Sequence, residues 1–292
     1  MQTHGFLSQL NKIQRAGITT LLAIVMSGCA TKPATIEARD GYNVNHAIKA
    51  VGQDERVRFL VLHYTALDDE KSLKALTQGN VSAHYLILQQ PEFKNNQPVV
   101  LQLVDENKRA WHAGVSNWNG RNNLNDSSVG IEIVNPGFTD DLDGQRSWYP
   151  FNPQQIAAVA ALAKDIIHRY QIKPDNVLGH SDIAPLRKQD PGKLFPWEQL
   201  AAMGIGAWPD KAIVNGYLAG RAPDQPVEVK RLQALLKQYG YDQIPQHGIL
   251  DDATRKHFTA FQMRFRPTDI SGNADAETEA IIRALIQKYR QA

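Results

Sequence analysis

Between residues 57 and 63 the chain reads Val57-Arg58-Phe59-Leu60-Val61-Leu62-His63, a short apolar run of the length of a buried strand, ending on a histidine. The charged stretch 68–78 that follows has helical character. Further strands are expected at 83–88, 99–104 and 129–134, each rich in β-branched or large apolar residues and bounded by Asn, Pro or Gly. The clearest helix starts at Asn152-Pro153, a capping residue followed by proline at the first helical position. Ile156, Val159, Ala160, Ala163, Ile166, Ile167 and Tyr170 keep helical spacing behind it and predict a face that packs on a sheet. Pro174 breaks that pattern, and Asn176-Val177-Leu178-Gly179-His180 reads as a short strand delivering a second histidine into a loop. Strands alternating with helices predict an α/β domain with a mixed central sheet flanked by helices, running from about residue 42 to 208.

The pattern changes on either side of that domain. Gly216, Gly220, Pro223 and Pro226 mark a linker over 209–223. Three helical segments follow in 224–292: one carrying Val229, Leu232, Leu235, Leu236 and Tyr239, one carrying Phe258, Phe261 and Phe265 after Asp251-Asp252, and one over 276–289. They predict a small three-helix domain. At the start, Lys12 and Arg15 precede an apolar stretch, 16–26, that ends in Ser27-Gly28 before Cys29. This is the layout of an export signal over 1–28, too short to span a bilayer comfortably, followed by a tether over 29–41.

Composition narrows the function classes. In 292 residues, 42% hydrophobic and 21% charged side chains are the proportions of a globular protein that can bury a core. With 32 basic against 30 acidic residues the net charge is +2, so no global field favours nucleic acid, and none is expected as a partner. The one cysteine rules out an intramolecular disulfide and a thiolate metal cluster. His63, His180 and Asp190 offer nitrogen and oxygen donors suited to zinc, and three protein ligands would leave the open position that catalysis needs. No short spacing links the two histidines, however; taken singly, each is more often a surface or hydrogen-bonded residue than a ligand, and the same three donors would serve a zinc peptidase equally well.

Five ordered motifs separate these readings: His63-Tyr64-Thr65, Val81-Ser82-Ala83-His84-Tyr85, Trp111-His112-Ala113-Gly114, Ser128-Val129-Gly130-Ile131-Glu132, and Gly179-His180-Ser181-Asp182 through Lys188-Gln189-Asp190-Pro191-Gly192. Together, over residues 58–200, they resemble the type 2 N-acetylmuramoyl-L-alanine amidases, whose fold is shared with peptidoglycan recognition proteins. The resemblance implies one zinc ion per chain on His63, His180 and Asp190, and hydrolysis of the amide between N-acetylmuramic acid and L-alanine in cell-wall degradation or recycling. It also implies catalytic roles for Glu132, as proton carrier, and Lys188, as oxyanion stabiliser. Relatives carry tyrosine at the glutamate position, which leaves the division of roles open. His112, Trp111, His84 and Asn117, with Trp118, are candidates for substrate contact; for His84 and the tryptophans, core packing is the alternative. The loop 135–151 is a candidate for specificity.

Two more segments carry resemblances. Val229-Lys230-Arg231-Leu232-Gln233 with Gly240, then Gly248-Ile249-Leu250-Asp251, Thr254 and Phe261-Gln262, resemble a three-helix peptidoglycan-binding domain, which would hold the enzyme near a polymeric substrate. Met26-Ser27-Gly28-Cys29 resembles the lipobox of bacterial lipoproteins, implying lipid attachment at Cys29. Ala30 after it implies sorting to the outer membrane, facing the periplasm. The expected partners are therefore peptidoglycan, muropeptides and a membrane reached through the lipid, with the chain a monomer. A non-catalytic recognition protein of the same fold is the competing class, opposed by retention of all three ligands with Glu132 and Lys188.

Overall fold

The computed structural model describes residues 35–290, so the export signal and Cys29 lie outside the described residues. The described residues through Gln53 and those from Asp54 onward are separate compact units. The first contains an antiparallel hairpin of β1 (Ile36–Arg39) and β2 (Tyr42–Asn45), largely exposed. Tyr42 therefore opens the second strand of this hairpin rather than an element of the compact unit that starts at Asp54. The predicted tether runs into that hairpin rather than ending before a core.

The second unit opens with β3 (Phe59–Tyr64), α1 (Asp69–Gln78), β4 (Tyr85–Ile87), β5 (Phe93–Lys94), β6 (Gln97–Pro98) and β7 (Leu101–Gln102). It continues through β8 (Asn117–Trp118), β9 (Arg121–Asn122), β10 (Ser128–Ile133), β11 (Phe138–Asp140), β12 (Arg146–Trp148) and α2 (Pro153–Tyr170). Then come β13 (Val177–Gly179), α3 (His180–Ile183), α4 (Trp197–Ala202), α5 (Lys211–Leu218), α6 (Val229–Tyr239), α7 (Asp252–Phe265) and α8 (Ala276–Tyr289). The central sheet has the order β13-β3-β10-β4-β7, parallel except for β7, which makes it the mixed sheet the alternation predicts.

Strand parity assigns the two faces. Leu60 and Leu62 of β3, Val129, Ile131 and Ile133 of β10 and Val177 of β13 join one cluster with Ile156, Val159, Ala163 and Ile166 of α2 and Trp197 and Leu200 of α4. α2 keeps its position through an Asn152 cap, whose Oδ1 accepts from Gln154 N at 2.8 Å, and through Gln155 Nε2, which donates to Leu88 O and Val134 O across the sheet. The opposite parity carries Phe59 and Val61, then His63, on β3, and Ser128, Gly130 and Glu132 on β10. Phe59 and Val61 belong with Leu178 to a second cluster that includes Leu232, Leu236, Phe258, Phe261 and Leu285 of the C-terminal helices.

That shared cluster changes the expected domain organisation. The segment 209–223, read as a linker, contains α5, which packs on α8: Tyr217 donates to Gln287 Oε1 at 2.8 Å, and Arg283 stacks over the Tyr217 ring at 4.1 Å. The C-terminal part thus has four helices, and it adheres to the catalytic sheet. Trp118 is fully buried between the two parts, edge-on to Tyr239 and Tyr241, with its indole N–H donating to Asp175 O at 3.1 Å. It is core, not a substrate contact. Gly240 lies at φ 148, and a Cβ there would meet Trp118 at 2.9 Å, so this close approach needs glycine.

Candidate metal centre

β3, β10 and β13 run parallel and bring their C-terminal ends to one place, the usual location of a site in such a sheet. His63 and Glu132 are side-by-side partners in the β3–β10 register and share a face by parity. His180 follows β13 directly, but it opens the short helix α3 rather than lying in a loop. Asp190 returns to it ten residues later. His63 Nδ1, His180 Nδ1 and Asp190 Oδ2 form a triangle with sides of 3.0, 3.0 and 3.1 Å, and all three residues are buried. Metal–ligand bonds of about 2.0 Å in a tetrahedron place neighbouring ligand atoms about 3.3 Å apart, so the triangle fits three corners of a zinc site.

The tautomers of both histidines follow from their outer nitrogens. Ser128 Oγ donates to Leu124 O at 2.7 Å, so it accepts from His112 Nε2 at 3.1 Å. His112 Nδ1 is then an acceptor and takes the Nε2–H of His63 at 3.0 Å, which leaves the lone pair of His63 Nδ1 for a metal. His180 Nε2 donates to Ala113 O at 3.1 Å, with the same result at its Nδ1. Arg187 Nη2 donates to Val115 O at 2.7 Å beside it. The Ala113 segment is fixed by Asn125, whose Oδ1 accepts from the N–H groups of His112 and Ala113. Gly130 makes room for the relay, because a Cβ there would lie 2.5 Å from the His112 ring.

Two of the expected substrate residues, His84 and Asn117, are placed elsewhere. His112 lines the cavity over the triangle, but both its ring nitrogens are paired inside the protein, where they orient His63. His84 is buried, accepting from Gly130 N at 3.0 Å and donating to Lys108 O at 3.2 Å, a core histidine with no group left for a ligand. Asn117 lines a different groove, with Asp182, Leu186 and Tyr241. Only Trp111 is both exposed and on the rim of the cavity over the triangle, with Arg109 stacked on its ring at 4.1 Å. Sequence reasoning missed Ser128, Asn125 and Arg187. For Ser128 the signal was available: in Ser128-Val129-Gly130-Ile131-Glu132-Ile133 the alternate positions are small or polar, the pattern of a strand with one functional face.

The cavity has a volume of about 200 Å³ and is lined by Thr65, Trp111, Glu132, His180, Lys188 and Asp190. Its charges are set by desolvation and by each other. Burial lowers the His63 pKa to about 4, and the neighbouring His180 adds to the shift. Burial pushes Asp190 up, but His180 and His63 outweigh it and hold the carboxyl well below its usual range. Both shifts favour the forms that ligate: neutral imidazole and ionised carboxylate. Glu132 goes the other way, to about 8, through burial first and the charge of Asp190 second, with Lys188 opposing. Its Oε2 is buried without a hydrogen-bond partner.

A triad of this kind at the strand ends of a mixed α/β sheet, beside a partly buried glutamate, is a candidate hydrolytic metal site. The chain belongs to the N-acetylmuramoyl-L-alanine amidase family. The family profile matches residues 53–193, and a peptidoglycan binding domain profile matches 225–282. The chain is 50% identical over 269 residues to the N-acetylmuramoyl-L-alanine amidase AmiD of Escherichia coli strain K12, covering 92% of this chain and 96% of the relative. The structure of the E. coli AmiD complex with anhydro-N-acetylmuramic acid-L-Ala-D-gamma-Glu-L-Lys matches with a TM-score of 0.84 at 50% identity, over 88% of this chain and 99% of that one. AMPDH3 of Pseudomonas aeruginosa in complex with an anhydromuramic pentapeptide matches with a TM-score of 0.74 at 44% identity, over 87% and 98%. The protein is accordingly an AmiD-like amidase that acts on peptidoglycan.

Proposed function

We propose that this amidase is zinc-dependent and holds one ion on His63, His180 and Asp190. The observation that carries the reading is the triangle of donor atoms at 3.0–3.1 Å, with the lone pair of each histidine directed inward by a hydrogen bond at its other ring nitrogen. When bound, zinc supplies a Lewis acid that acidifies water and polarises a carbonyl. Glu132 Oε2, unpartnered and level with His63 across the sheet, takes the proton of the attacking water and delivers it to the amide nitrogen of L-alanine. A pKa raised by burial suits that shuttle, and a nearby dication would draw it down toward neutrality. Lys188, on the same cavity wall, stabilises the negative oxygen of the tetrahedral intermediate. Trp111 offers a face on which a sugar ring or the stem can lie.

The complexes of the AmiD and AMPDH3 relatives support muropeptide stems, including anhydro forms, as substrates. The test is incubation of the purified protein and its His180→Ala variant with a defined muropeptide, with chelator and with zinc restored, and identification of products by mass spectrometry. Free stem peptide with an intact amino sugar is expected, lost with chelator or in His180→Ala and restored by zinc in the wild type only. Cleavage that survives complete zinc removal would overturn the metal reading. We further propose lipid attachment at Cys29 and outer-membrane anchoring; among the described residues no helix is long and apolar enough to cross a membrane. Cys29→Ala is expected to move the protein from the membrane to the soluble fraction, and unchanged fractionation would refute the anchor.

A further inference from the structure

The turn that carries His180 is not held by the sheet alone. Asp182 stands two residues beyond the ligand and is 1% exposed. Its Oδ2 accepts from Gly179 N at 2.8 Å, closing α3 back on the residue that precedes His180. The same carboxylate is gripped from the C-terminal helices. Arg264 Nη1, on α7, donates to Oδ2, and the Tyr241 hydroxyl, just past α6, donates to Oδ1 at 2.6 Å. Arg264 also binds the strand that leads into the turn, through Nη2 to Val177 O at 2.8 Å, and its guanidinium lies over Trp197 at 4.2 Å. Both residues are buried, and burial in water-poor surroundings makes charge-assisted bonds like these strong and directional.

We propose that Tyr241 and Arg264 are positioning residues of the metal centre: acting through Asp182, they set the path of the His180 turn and hence the aim of His180 Nδ1. The inference rests on the zinc reading above. It gives the C-terminal part a task within the catalytic site, separate from any grip on the wall. Without the Tyr241 hydroxyl, Asp182 Oδ1 has no other side-chain partner, and the carboxylate is free to turn about Arg264 and release Gly179 N–H. His180 then loses its fixed exit from β13, and Asp190, whose carbonyl accepts from Ser181 N at 2.9 Å, loses part of its support with it, while His63 keeps its bond to His112.

The test compares Tyr241→Phe and Arg264→Lys with Glu279→Gln. Glu279 is a buried anchor for Arg221 and Arg231 in the same helical part and does not touch Asp182. Zinc affinity is measured by chelator competition, the cobalt-substituted absorption spectrum is recorded well below each variant's melting temperature, and kcat and KM are determined on a defined muropeptide. Groups bonded directly to a metal ligand are typically worth 10- to 100-fold in affinity; Tyr241 and Arg264 act one step further out, through Asp182 and Gly179, so Tyr241→Phe and Arg264→Lys are expected to lose about tenfold, the lower end of that range. Their cobalt bands should change and kcat should fall with KM little altered, whereas Glu279→Gln keeps wild-type zinc affinity despite a lowered melting temperature. Wild-type affinity and cobalt bands in Tyr241→Phe, or an equal loss in Glu279→Gln, would overturn the positioning role while leaving the zinc reading intact. A wild type that binds no zinc sinks both.

Discussion

Glu132 and His63 face each other across adjacent strands with pKa values displaced in opposite directions, which makes their contributions to stability separable by pH. Glutamate titrates at 4.5 in its ordinary state and at about 8 here, so the unfolded chain releases this proton first, and raising pH between those values favours unfolding. For His63 the folded value is about 4 against 6.5, so its contribution grows with pH up to about 6.5 and is constant above. Chelator-treated protein is therefore expected to lose stability from pH 6.5 to 8, and Glu132→Gln to abolish that slope, as read from denaturant midpoints. A slope that persists in Glu132→Gln would assign it to another group. Gly130→Ala tests the relay: its Cβ would press 2.5 Å from the His112 ring, and a loss of at least about tenfold in zinc affinity by chelator competition is expected. The three residues of the donor triangle were legible from the motif order. Their tautomers were not, because the groups that fix them, Ser128 and Ala113, are neighbours only in space.

At the level of elements, local signals placed most boundaries. Asn152-Pro153 starts α2, Asp251 caps α7 by accepting from Thr254 N at 2.8 Å, and α8 covers the predicted 276–289. Asn152→Ala is expected to destabilise the protein by about 1 kcal/mol in a urea titration, with kcat unchanged, since the cap lies on the α2 side of the sheet and the site on the other. Two assignments failed for one reason. Residues 42–45 pair with 36–39 rather than joining the core, and 211–218 form α5 rather than a linker. Glycines and prolines mark breaks in local regularity, but whether a flanking segment packs depends on the surface it meets, here α8.

Taken whole, the second unit has a hydrophobic cluster that passes from Phe59 and Val61 of the sheet through Trp118 to Phe258 and Phe261 of the C-terminal helices. Unfolding of the two parts is therefore expected as one calorimetric transition, and two resolved transitions would contradict the shared core. Trp118→Ala removes a fully buried indole from the junction and should cost about 3–5 kcal/mol. A chain ending at residue 208 would bare this cluster and strip Asp182 of Arg264 and Tyr241. It is expected to show neither a cooperative transition nor tight zinc binding.

By itself the sequence determined the α/β class, the three main C-terminal helices and the identities of the ligand candidates, because periodicity, caps and ordered motifs are local properties of the chain. Tertiary structure alone decided which ring nitrogens meet at the triangle and which are spent on supporting hydrogen bonds. His112 and His84 carry the same side chain as His63, and only strand parity and the partners at each ring nitrogen tell them apart. It alone also made one core of two segments read as separate domains, since a buried ion pair between residues 82 positions apart leaves no trace in local pattern.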